Sequence, residues 1–263
     1  MNILFLTKET PYPPDSGARM RSWHYALGLR RAGHLTILCF GRLRDNPAGM
    51  AASEIFDLGY EFFPADDLPP QGALSRLKAL FTNLPYAVWS RRSQSMRDKV
   101  SAMENKNQYD LIVCDGIHQA LNIPEELRHK TILDEHNVES TILGRYVNTI
   151  TNPLEKLYAL IEWSKFQRFE KRLWPQFSEI HVCSEIDRQK VIARSGHPRV
   201  KVIPNGIDIN TSQGSSSPHT GIHSSDEKTP NTLFPPPGGE ATNTPFPPPG
   251  GEATNTPFPP PGG

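Results

Sequence analysis

Short, almost uninterrupted apolar runs, separated by longer segments of helical periodicity, most limit what this chain can fold into. The runs are Asn2–Thr7, Leu35–Phe40, Tyr60–Phe63, Leu111–Cys114, Thr131–Leu133, Ile180–Cys183 and Val200–Ile203. A strand that is apolar at nearly every position must be covered on both faces, as in a parallel sheet. Strands alternating with helices imply βαβ units. The expectation is therefore an α/β fold with a doubly wound, Rossmann-like parallel sheet. A helix is expected near Ala18–Ala32, and a longer one over Pro153–Trp174, where Leu157, Leu160, Ile161, Phe166, Phe169 and Leu173 form one stripe. Asn152 can cap that helix, Pro153 suits its first turn, and Pro175 stops it.

The pattern holds to about residue 209. Of the 26 prolines, 13 lie after Asn210, and from Asn231 a 12-residue unit recurs as NTLFPPPGGEAT, NTPFPPPGGEAT and NTPFPPPGG. One Phe per unit and Leu233 are too little apolar surface to offset the entropy of ordering. The chain is expected to divide into a folded domain, residues 1–209, and a disordered Pro/Gly-rich repeat tail, residues 210–263. The proline triplets favour polyproline II, so the tail is either functionless or a ligand for a domain that reads that conformation.

The domain region holds 27 basic and 24 acidic side chains, a small excess hidden by the neutral total. Without a clustered basic face this does not point to nucleic acid. Cys39, Cys114 and Cys183 each sit in an apolar run, which suggests buried thiols in a reducing, cytoplasmic compartment. The opening MNILFLTKETPYPP lacks a basic region and a cleavage site and is expected to be the first strand. No run of 18 apolar residues is present.

The loop from Lys8 to Arg21 (KETPYPPDSGARMR) follows the first strand and opens a helix. A helix N-terminus at the carboxyl end of a parallel strand can hold an anion. There Gly17 would admit a phosphate, and Arg19 and Arg21 would add charge; a plain strand-to-helix turn is the simpler reading. His136 ends the run TILDE, where open α/β sheets carry their sites, and can bind sugar hydroxyls or phosphate or move a proton. Glu139 either orients His136 or binds acceptor hydroxyls. His118 is expected to cap a helix or lie on the surface. Glu162 and Glu170, two helical turns apart, are expected to be solvated or structural. No Asp-x-Asp triplet occurs and Asp66-Asp67 lies in a polar loop, so no metal is expected. Leu74–Lys99 carries six bases, one acid and Phe81, Tyr86 and Trp89. It is either an interfacial element for an anionic membrane or a helix with its apolar side in the core.

Five segments, in order, resemble family 4 glycosyltransferases of exopolysaccharide assembly. They are PYPPDSGARMR; LDEHNVES at Leu133–Ser140; RFEKRL at Arg168–Leu173 with VCSEIDR at Val182–Arg188; and VIPNGID at Val202–Asp208. Here Ala18 stands where the family usually has a second glycine. The resemblance covers residues 1 to about 209 and implies the N-terminal, acceptor-side half of a GT-B fold. It implies retaining transfer from a nucleotide-sugar to a saccharide or lipid-linked acceptor, with no cofactor or metal. His136 would be catalytic and face the interdomain cleft; Gly17, Arg19, Arg21, Asn137 and Glu139 would bind substrate. It also implies peripheral contact with the inner face of the plasma membrane. The family's donor site, an Arg/Lys pair and two glutamates seven residues apart, belongs to a second domain, and no such pattern follows Asp208. The chain is therefore expected to be truncated and inactive alone unless a partner supplies that domain. The alternative is a non-catalytic remnant or an acceptor-binding or interaction domain.

Overall fold

The computed structural model describes residues 1–41, 51, 57–63 and 68–205. Asp66-Asp67, the last three residues of the PNGID segment and the repeat tail lie outside the described residues. Seven parallel strands form one sheet: β1 (Asn2–Thr7), β2 (His34–Phe40), β3 (Gly59–Phe63), β4 (Leu111–Asp115), β5 (Thr131–Glu135), β6 (Glu179–Val182) and β7 (Val200–Val202). The order is β3-β2-β1-β4-β5-β6-β7. The chain builds outward from β1 to β3, crosses back, and builds outward again from β4 to β7. This is the doubly wound, Rossmann-like arrangement, and its switch point lies between β1 and β4. Phe5 pairs there with Val113, and Leu6 with Cys114.

Burial explains why β1 is central. Ile3, Leu4, Phe5 and Leu6 are all 0% exposed, so both faces of the strand are covered. Each such side chain contributes roughly 1.5–3 kcal/mol by leaving water. On one face helix α1 (Gly17–Ala32) packs Trp23 and Ala26 against Phe5 and Ile37. Ser16 caps α1 by accepting from the Arg19 N–H.

After β3 come α2 (Ala73–Leu80), α3 (Tyr86–Trp89) and α4 (Gln94–Asn107). The stretch Leu74–Lys99 is thus three pieces rather than one amphipathic helix. Tyr86, Ala87 and Val88 are core, while Leu74, Leu77 and Phe81 face water. After β4 a 3-10 turn runs over Ile117–Asn122, and a short α5 (Glu125–Arg128) leads into β5.

Beyond β5 lie α6 (Glu139–Thr149), α7 (Pro153–Leu173) and, after β6, α8 (Glu185–Ser195). The long helix starts as the sequence implies: Asn152 Oδ1 accepts from the N–H groups of Leu154 and Glu155, and Pro153 fills the first turn. Its inward stripe differs from the expected one. Phe166, Phe169 and Leu173 are buried, but Leu157, Leu160 and Ile161 are exposed, and Ala159, Glu162 and Lys165 point inward instead. The reason is polar. Glu162 accepts from the Tyr86 N–H at 2.6 Å and from Lys165 Nζ at 3.3 Å, and Lys165 donates to the Ala79 carbonyl at 2.7 Å. These bonds seat α7 on α2 and α3. Glu170, fully buried, accepts from Ser140 N and Oγ and from Arg194, joining α6, α7 and α8. Both glutamates are structural residues of the helix.

Candidate active-site cleft

The carboxyl ends of β1, β4 and β5 open into a cleft of about 220 Å³ at the switch point. Its walls come from the loop after β1 (Lys8, Glu9), from α1 (Ala18, Arg19, Ser22), from Arg91, from the turn after β4 and from His136–Glu139. Strand ends on two sides of the reversal splay apart there, which is why open α/β sheets carry sites at this position.

His136 is the first residue after β5. Its Nε2 lies 2.5 Å from Asp115 Oδ1 and 3.4 Å from Asp134 Oδ2. Burial by itself would lower the pKa of this imidazole. The charge of Asp115, the hydrogen bond to it and Asp134 outweigh burial and hold the pKa well above the ordinary histidine range. The two carboxylates favour the imidazolium form, and among the described residues Nδ1 has no hydrogen-bond partner. A proton-shuttling base is the weaker use of such a ring; it is a charged donor.

Asp134 sits between two cations. Burial opposes its ionisation, but His136 and Arg21 bring its pKa below the usual carboxylate range. Arg21 lies beneath the cleft rather than in it, 6% exposed. Its Nε and Nη2 hold Asp134 at 3.0 and 2.5 Å, and its Nη1 donates to the Ile203 carbonyl and Asn205 Oδ1. The expected substrate contact of Arg21 is not supported: four of its bonds go to protein acceptors and it does not line the cleft. Ser22, its neighbour on α1, donates to Asp115 Oδ2 at 2.8 Å.

Arg19 does line the cleft, but Glu9 at 2.6 Å and Asp15 at 3.0 Å neutralise it. Gly17 opens α1 at the rim. A Cβ there would meet nothing within 4 Å, so packing does not require the glycine, and the neighbouring Ala18 lines the cleft. Asn137 is exposed at the mouth. Glu139 faces the cleft but makes no hydrogen bond to His136 among the described residues; Asp115 and Asp134 orient the ring. Burial, with Glu170 adding to it, raises the Glu139 pKa to about 7.

Further positive charge on the cleft wall comes from Lys8, 3.7 Å from Glu9, and from Arg91. Arg91 was expected on a membrane or helix face. It lines the cleft instead, its guanidinium making one hydrogen bond, to the Ala87 carbonyl, and no ion pair among the described residues. Burial lowers its pKa, and burial together with Arg91 lowers that of Lys8. Asn122 fixes the backbone here: its Oδ1 accepts from Ser93 N, and its Nδ2 donates to the Arg91 carbonyl and Gln119 Oε1. His118 is on the cleft wall, not at a cap or on the open surface, edge-on to Phe166 at 6.0 Å. Burial and then Arg91, Lys8 and His136 keep it neutral.

Asp115, Asp134 and His136 place potential ligand atoms within 4.8 Å of one another. A divalent ion would have to displace the Arg21 guanidinium from Asp134 and the Ser22 hydroxyl from Asp115. The donor set suits an imidazolium better than a metal. Cys39 and Cys114 are buried as expected; Cys183 is partly exposed and donates to the His136 carbonyl at 3.0 Å.

No protein-family model matches the sequence, and no curated protein matches it. Among solved structures the chain is similar to HepE of Anabaena in complex with UDP-glucose, at 18% identity and a TM-score of 0.41 over 80% of this chain and 45% of that one. It is also similar to UGT89C1 of Arabidopsis thaliana complexed with UDP, at 13% identity and a TM-score of 0.45 over 82% of this chain and 52% of that one. UGT2 of Phytolacca americana matches at 12% identity and a TM-score of 0.43, over 81% and 53% of the two chains. The chain spans about half the length of each of these structures.

Two of the site residues missing from the sequence reading had a legible signal. Asp115 and Asp134 are carboxylates at the ends of apolar runs, LIVCD and TILDE, where strand ends meet a cleft. Arg91 and Gln119 had none, because only the fold brings their segments to one wall, whereas Lys8 opens the loop already singled out at the end of the first strand.

Proposed function

We propose that this chain is the acceptor-side domain of a retaining GT-B glycosyltransferase of the family 4 type. It would act with a nucleotide-sugar donor on a saccharide or lipid-linked acceptor. The observation that carries the reading is the His136 ring, held by Asp115 at 2.5 Å with Nδ1 open, in a switch-point cleft shared with Lys8 and Arg91. That arrangement suits a reaction in which negative charge builds on a departing diphosphate. The order of the sequence segments supports the same reading. Most donor contacts would belong to a second domain, supplied by a longer chain or by a partner. The test joins such a domain from a related enzyme after Asp208 and measures transfer from a panel of nucleotide-sugars. Arg91→Ala should raise KM roughly 10–100-fold, as loss of a charged hydrogen bond worth about 1.5–3 kcal/mol would. Chimeras that fold but neither bind nor transfer any nucleotide-sugar would remove the proposal.

The same reading includes peripheral membrane contact, through the first part of Leu74–Lys99 together with the exposed face of α7 and not through Arg91 and Arg92. Arg91 is committed to the cleft. Exposed apolar side chains on these two elements are Leu74, Leu77 and Phe81 on and after α2, and Leu154, Leu157, Leu160 and Ile161 on α7, with Lys78, Lys156 and Arg168 also exposed. Leu80, Leu160 and Arg168 line one shallow groove between the two elements. No helix among the described residues is long and apolar enough to cross a membrane. Binding to vesicles rich in phosphatidylglycerol is expected, weakening as salt is added. The double substitution Leu77→Ser and Phe81→Ser should weaken it at least about tenfold, since each apolar side chain is worth roughly 1.5–3 kcal/mol when buried. Binding that is indifferent to both changes would leave this face without a lipid partner.

A further inference from the structure

Arg21 touches three elements at once. On α1, it grips Asp134 of β5 with Nε and Nη2 and holds the chain leaving β7 through Nη1, at 2.8 Å to the Ile203 carbonyl and 2.9 Å to Asn205 Oδ1. Asp134 Oδ2 is in turn 3.4 Å from His136 Nε2. The other carboxylate on that nitrogen, Asp115, is bonded by Ser22, the residue after Arg21. The segment beyond β7 and the cleft histidine are therefore two ends of one polar chain. A guanidinium can do this because its donors form a rigid, planar fork; an ammonium on a flexible stem cannot serve both sides in fixed geometry.

We infer that Arg21 is a positioning residue that couples the segment leaving β7 to the orientation and charge of His136. When Ile203 and Asn205 are seated, the fork is held square to Asp134, which is then shared between Arg21 and His136. If that segment moves, the guanidinium swings with it, Asp134 turns its full charge on His136, and the imidazolium is drawn down onto the carboxylate. Any movement of chain following β7 would thus be felt at the cleft. The link does not depend on the function proposed above; its consequence for sugar transfer does. The groups that face His136 are Asp115, Asp134, Glu135, Glu139, His118 and Cys183. None but Asp134 hydrogen-bonds Arg21.

The test uses the full chain, with NMR titration of the His136 ring and hydrogen exchange at the Ile203 amide, which is bonded to the Val182 carbonyl at 2.8 Å. Helix α1 keeps a second tie to the sheet, from Tyr25 to His181, so Arg21→Gln need not release it. In Arg21→Gln, Ile203 exchange should quicken about tenfold or more, and the His136 pKa should rise by about one unit as Asp134 loses its cation. Arg21→Lys restores the charge without the fork. It should return the His136 titration most of the way while leaving exchange as fast as in Arg21→Gln. A folded Arg21→Gln with His136 unmoved overturns the coupling, whether or not exchange quickens. An Arg21→Lys variant that protects Ile203 fully overturns the role of the fork. Should Arg21→Gln fail to fold, Asn205→Ala removes one exposed acceptor instead. It is expected to speed Ile203 exchange and shift the His136 ring nitrogens, and an unchanged ring spectrum overturns the inference.

Discussion

On the proposed reading, changing His136 to alanine in a chimera that carries a second domain should lower turnover about 10²–10³-fold, the usual effect of deleting one donor aimed at developing charge. KM should change far less, because the donor is most needed where the leaving diphosphate gains charge. His136→Gln keeps a neutral donor and should recover part of the loss. The pH dependence follows from the sign of the shift. On that reading the protonated form is the one required, and Asp115 and Asp134 hold its pKa well above the ordinary histidine value. Turnover should therefore persist through neutrality and fall as pH rises through the raised pKa, and His136→Ala should abolish that limb. Steady-state rates from pH 5 to 10 for both proteins make the comparison. An alanine variant within a factor of three of the parent would take His136 out of the reaction.

The second large effect is on stability. Glu170→Ala should cost about 3 kcal/mol, because it removes the acceptor for the buried N–H and O–H donors of Ser140 and leaves Arg194 without its carboxylate. For a domain of this size that is a fall in Tm of roughly 6–12 °C. Urea unfolding should show the same loss as a lower midpoint with an unchanged slope. Glu170→Gln should cost less, since an amide oxygen can still accept from Ser140. A loss below about 1 kcal/mol would make Glu170 an ordinary helix residue that happens to be covered.

Sequence alone determined the parts of this protein that depend on local chemistry. The apolar runs became strands because only a sheet covered on both faces can bury β-branched and aromatic side chains in sequence. Asn152 and Pro153 start α7 because a cap acts on N–H groups two and three residues away. The position of His136 at a strand end was legible for the same reason. What side chains do across elements was not. The stripe Leu157, Leu160 and Ile161 has helical spacing, yet buried polar partners on α2 and α3 turned α7 so that Glu162 and Lys165 face inward. Arg19, Arg21 and Arg91 are chemically alike in sequence; the fold neutralises the first, buries the second as a strut and leaves the third beside the cleft. The charge of His136 depends on Asp115, 21 residues away in the chain and 2.5 Å away in space. Coulomb energy falls with distance through space and is indifferent to separation along the chain, so only the tertiary structure could decide it.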